Sequence, residues 1–162
     1  FYHAASGGKT EDAAHVFSQS LPYLVSVSSQ GEAGEAAAAQ EQSFSREDFV
    51  SKVHRLYPKA GLSASQLESQ VAILSRNESD RVDAIRVGQV DLTGVQLRQA
   101  LGLRSTNFTF RVTSDAIVFT TQGYGHGVGM SQAGAQAMAL SGQTYVDILT
   151  HYYPGVTLAA LS

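Results

Sequence analysis

Gly123-Tyr-Gly-His-Gly-Val-Gly-Met-Ser-Gln132 places four glycines at alternate positions around one histidine. Glycine costs unfolded-state entropy, and a plain connector rarely needs it so densely, so the backbone here must turn through φ > 0 or approach another group closely. Upstream, Ala116-Ile-Val-Phe-Thr-Thr121 reads as a strand. Downstream, Ser131 to Leu140 reads as a helix with Ser131 at its N-cap, and Gly134, Ala135, Ala137 and Ala139 let it lie close to a neighbour. The stretch is therefore a strand-to-helix turn carrying His126 on bare backbone. Glycines before a helix can seat a phosphate, yet the last glycine lacks the spacing of a dinucleotide loop and no Lys-Ser/Thr follows. Two readings stay open: the glycines serve close packing with His126 bonded to a carbonyl, or they present His126 to a ligand.

Working outward, Phe108-Thr-Phe-Arg-Val112 alternates before a turn at Ser114-Asp115, and Thr93-Gly94 opens a helix through Leu101. Val71 to Leu74, Arg81 to Val87 and Gln89 to Leu92 read as strands, with Asn77-Glu-Ser-Asp80 as a turn. Ser45 and Asp48 resemble a capping box for a helix to about Tyr57, ended by Pro58 and Gly61, and Ser63 opens another short helix. Tyr23 to Ser28 reads as a strand, whereas Gln30 to Gln42 is a low-complexity segment, either an alanine helix or a mobile loop. Thr144 and Asp147 fit a capping box for a last helix ended by Pro154-Gly155. The expected class is α+β, a mixed or antiparallel sheet with short helices, and no internal repeat argues for a solenoid.

The chain has 162 residues, 43% of them hydrophobic, and a net charge of −3, enough for one real core and one domain. Its eleven basic residues are scattered, leaving no footprint for nucleic acid. No apolar stretch is long enough to span a bilayer, and the first residues lack a secretion-signal pattern. Without cysteine there is no disulfide and no mixed His/Cys zinc site.

Five stretches, in order, resemble the stage II sporulation protein D (SpoIID) and LytB family of bacterial cell-wall proteins. They are Tyr2-His-Ala-Ala-Ser-Gly-Gly-Lys-Thr-Glu11, Leu21-Pro-Tyr-Leu-Val-Ser-Val27, Gly94-Val-Gln-Leu-Arg-Gln-Ala-Leu-Gly-Leu-Arg-Ser105, Gly125-His-Gly-Val-Gly-Met-Ser-Gln-Ala-Gly-Ala135 and Ile148-Leu-Thr-His-Tyr-Tyr-Pro-Gly155. Residues from about 30 to 90 carry no such match. The resemblance implies that residues 1–162 are the C-terminal part of a SpoIID/LytB-like domain, with a low-complexity insertion or loop near 30–43. It also implies action on peptidoglycan, either as a lytic transglycosylase on glycan strands stripped of stem peptides or as a non-catalytic binding module that enhances a separate amidase. The family's catalytic glutamate is expected upstream of Phe1, in a longer exported protein that is extracytoplasmic, faces the cell wall and holds any anchor upstream.

Lytic cleavage runs with one carboxyl group acting first as acid and then as base, best in a partly apolar cleft that raises its pKa. The local acids are Glu11, Asp12 and Asp147, and Glu11 reads as an acid in the first turn of a short helix that also holds His15. His3 and Ser6 lie too close in sequence, without a nucleophile elbow, for a hydrolase triad. His54 reads as helix surface, so metal chemistry would need His3, His126 and an acid brought together in space; the expectation is no metal and no cofactor. The expected substrate-binding residues are His3, Ser6, Gly7, Gly8, Thr10, Glu11, Tyr124, Gly125, His126, Gly127, Gly129, Ser131 and Gln132. Tyr124 is the candidate sugar platform, while one of Tyr152 and Tyr153 packs in the core and the other is left to stack on sugar.

Overall fold

The computed structural model describes residues 1–159. The chain forms two compact units, Phe1–Ala38 with the chain from Gln122 onward, and Ala39–Thr121. The first stretch holds two-residue strands β1 (Tyr2–His3) and β2 (Gly8–Lys9), helix α1 (Ala13–Phe17) and strand β3 (Ser28–Ser29). Strands β2 and β3 pair antiparallel. The strand expected over Tyr23 to Ser28 is thus confined to its end, because Leu24 closes a turn onto the Leu21 carbonyl (2.9 Å) and the Val27 amide turns to the Thr10 hydroxyl (2.8 Å). Glu11 is not in the first turn of α1, since Asp12 is the N-cap and accepts from the Ala14 amide at 2.8 Å.

The middle unit follows the expected order of strands and helices, with one strand added and one helix shortened. Strand β4 (Gln40–Ser45) begins inside the segment read as low complexity, and Ser45 then caps α2 (Arg46–Leu56) by accepting from the Asp48 amide. Pro58–Ala60 is a 3-10 turn, and the helix expected from Ser63 is reduced to α3 (Leu67–Gln70). Strands β5 (Val71–Arg76), β6 (Val82–Val87) and β7 (Val90–Thr93) form an antiparallel sheet in that order. The capping box of Thr93 and Gln96 starts α4 (Gly94–Leu101). Strands β8 (Phe108–Val112) and β9 (Ala116–Thr121) complete a second antiparallel sheet in the order β4-β9-β8.

Phe44, Phe49 and Phe108 pack around Phe119, with ring centroids 5.6–6.1 Å apart, in a core shared with Val53, Ile85 and Leu97. Such aromatic contacts add to the burial that dominates the unit's stability. Buried Arg81 donates from Nη1 to Ser105 (3.0 Å) and Thr106 (3.3 Å). His54 lies on the exposed face of α2.

Past the glycine run come β10 (Met130–Ser131), α5 (Gln132–Leu140) and α6 (Tyr145–Tyr152). Strand β10 pairs in parallel with β1, joining residues more than a hundred positions apart, and Thr144 with Asp147 forms the expected box for α6. The apolar cluster of this unit is small: Ala13, Leu24 and Val128, with Val16, Leu21 and Tyr153 against it. The whole is α+β. No helix among the described residues is long and apolar enough to cross a membrane.

Candidate functional site

The glycine run is laid against the first eleven residues. Tyr124 and Ala5 exchange amide hydrogen bonds (2.7 and 3.2 Å), and the Glu11 amide donates to the Gly127 carbonyl at 2.8 Å. All four glycines of the run have positive φ. At Gly129 a Cβ would stand 2.3 Å from the Phe1 carbonyl oxygen, so this position needs glycine for space as well as for conformation. Close packing is thus one purpose of the motif.

His3 is 4% exposed and its Nδ1 lies 3.3 Å from the Val128 carbonyl, which can only accept, so Nδ1 carries the hydrogen. His126 uses the opposite tautomer: its Nδ1 accepts from the Val128 amide at 3.0 Å rather than donating to a carbonyl. The two rings lie 5.8 Å apart, and Phe17 packs on His126 at the same distance. Among the described residues no three His, Cys, Asp or Glu side chains gather as a metal site. Buried Glu11 points its Oε1 at the Asp12 amide (2.9 Å) and at His15 Nδ1 (3.1 Å). Thr10 is buried and ties the chain to Val27.

Tyr124 is 45% exposed beside this loop, whereas Tyr152 is buried and Tyr153 donates its hydroxyl to the Phe1 carbonyl. Gln132 is exposed at the start of α5. Gly7, Gly8 and Gln122 line an open cleft with Ser29, Gln30 and Glu32.

Glu32 is the residue that sequence reading missed. Its Oε1 accepts from the Ser6 amide (2.9 Å) and from the hydroxyls of Ser6, Ser29 (2.7 Å) and Ser131 (2.6 Å), and its Oε2 accepts from the Gly7 amide at 2.8 Å. The carboxylate thus joins Ser6 and Gly7 to Ser131, which the motifs had picked out separately. Burial pushes the Glu32 carboxyl upward, but the hydroxyls of Ser131, Ser6 and Ser29 and the Ser6 amide outweigh it and hold the group below its ordinary value. The signal available was slight: an acid in Gly31-Glu-Ala-Gly34, inside a segment whose composition suggests no contacts.

The other acids singled out in the sequence are also committed. Asp12 caps α1, and Asp147 accepts from the Thr144 amide (2.8 Å) and hydroxyl, which holds its carboxyl below the usual range. Neither Glu32 nor Asp147 is an acid kept protonated by an apolar pocket, since hydrogen-bond donors hold both below their ordinary values.

No protein-family model matches the chain. Among curated proteins, the stage II sporulation protein D of Bacillus amyloliquefaciens is 33% identical over 158 residues, and that of Bacillus subtilis is 31% identical over the same length. Both alignments cover 98% of this chain but 44% of the relative, in its C-terminal part, so the chain spans less than half the length of these relatives. An amidase enhancer of Bacillus subtilis is 25% identical over 209 residues, covering 98% of this chain and 29% of the relative.

Proposed function

Because the chain belongs to the stage II sporulation protein D family, we propose that it is the glycan-binding part of a protein acting on peptidoglycan. The parent would be a lytic transglycosylase cleaving peptide-denuded glycan strands, outside the cytoplasm and facing the cell wall. The observation that carries the division of labour is the state of the acids. Lytic cleavage needs a carboxyl group free to meet the glycosidic oxygen as an acid, whereas Glu11, Asp12, Glu32 and Asp147 each already accept a backbone N–H. The acid would therefore come from the segment that the family places upstream. The residues here would supply the wall: Gly7, Gly8 and Gln122 as a polar surface for sugar hydroxyls, Tyr124 as a half-exposed ring for a sugar face, and His126 as an imidazole whose orientation the Val128 amide fixes through Nδ1.

The test is to incubate this chain, and a form extended upstream, with peptide-free glycan strands and to search by mass spectrometry for products ending in 1,6-anhydromuramic acid. Such products from the extended form alone are expected. Products from neither would favour the second reading, a binding module that enhances a cell-wall amidase, for which the likeness to an amidase enhancer speaks.

A further inference from the structure

We infer that Glu32 is a positioning residue for the cleft wall: its carboxylate fixes the Ser6–Gly7 turn and the hydrogen directions of three serine hydroxyls. The effect on glycan rests on the reading above; the local effect does not.

Successive amides of Ser6 and Gly7 point at different oxygens of one carboxylate, at 2.9 and 2.8 Å, the geometry of a backbone nest around an anion. A serine hydroxyl has one hydrogen, and Ser6, Ser29 and Ser131 each spend theirs on Glu32. What remains of each hydroxyl is an acceptor. Ser131 accordingly accepts from the Gly134 amide (3.1 Å) to cap α5. The contact of 2.7 Å between Ser29 and Tyr152 is settled in the same way, with the buried tyrosine donating.

This chain of donors also explains a small residue in the first turn of α5. A Cβ on Gly134 would stand 2.0 Å from the Tyr152 hydroxyl and 2.2 Å from Ser29 Oγ, so α5 approaches the network at a position that has no side chain. Glu32 itself lines the cleft with Gly7 and Gly8. Removing its charge leaves two part-buried amides and three hydroxyls without their common acceptor, and the turn that faces the cleft loses what fixes it. A glutamine in its place would turn an NH2 group toward groups that donate.

The test is chemical rescue. Glu32→Ala leaves a space ringed by donors that sodium formate can refill. At a temperature where circular dichroism shows the variant fully folded, formate should return the Ser6 and Gly7 amide resonances toward wild-type positions along a saturating curve. Sodium chloride at equal ionic strength should not. Affinity for peptide-free glycan strands should fall about tenfold or more, the equivalent of one charge-assisted hydrogen bond, and recover with formate. Glu32→Gln keeps the shape of the side chain and is the variant to use if the alanine form does not fold; it should lose the same affinity and ignore formate. Wild-type resonances and affinity in either variant overturn the inference. Formate rescue of the resonances in a protein whose wild-type form binds no glycan would support the positioning of the turn and overturn the glycan-binding reading.

Discussion

The unit of residues 39–121 and the unit around the glycine loop solve the folding problem in different ways. The former has strands of four to six residues, and sixteen buried apolar side chains make up its core. The latter has three buried residues in its apolar cluster, strands of two residues, and a half-buried carboxylate holding segments that are distant in sequence. The lesson is where each unit is vulnerable. Stability in the first comes from apolar area, which tolerates substitution of like for like, whereas the second relies on hydrogen bonds and close backbone approaches that have few substitutes. The proposed function is placed on the second, where polar groups converge on one carboxylate.

The comparison can be broken most forcefully at Phe119, fully buried among four aromatic rings. Phe119→Ala should cost about 3–5 kcal/mol in urea denaturation, with amides of residues 40–121 losing hydrogen-exchange protection. Next comes Gly134→Ala, which adds one methyl group where there is no room beside Tyr152 and Ser29. It should cost about 3 kcal/mol despite alanine's better helix propensity, and an unchanged denaturation midpoint would show that the polar network is looser than its distances suggest. The smallest effect sharpens the contrast by being equal on both sides. Thr93→Ala and Thr144→Ala each remove a capping box, one per unit, and each should cost about 1 kcal/mol, because a cap is a local device indifferent to what surrounds the helix.

Legibility followed the same division. Caps at Ser45, Thr93, Ser131 and Thr144 were readable because a hydroxyl and the amide it accepts from lie within three residues. Strand β6 was readable from its buried Val82, Ile85 and Val87. Strand β4 was not, since Gln40–Ser45 buries Phe44 alone and sits at a sheet edge, where polar residues are tolerated. Two-residue strands such as β1 and β10 carry no periodicity at all. Of the candidate site, Ser6, Gly7 and Ser131 were visible through the motifs that hold them, and the glycine run announced an unusual backbone. What the glycines avoid, the Phe1 carbonyl at Gly129 and the Tyr152 hydroxyl at Gly134, lies far off in sequence.

By itself, then, the sequence determined the α+β class, the helix caps, most strands of the middle unit and the family, all from patterns confined to a few neighbouring residues or from their order along the chain. Only the tertiary structure decided that Glu32 belongs with Ser6, Gly7, Ser29 and Ser131, that His3 and His126 carry their hydrogens on opposite nitrogens, and that Tyr152 donates to Ser29. A hydrogen bond between residues 26 or 99 positions apart leaves no period in the chain, and which partner donates is set by what else each group touches once the chain has folded.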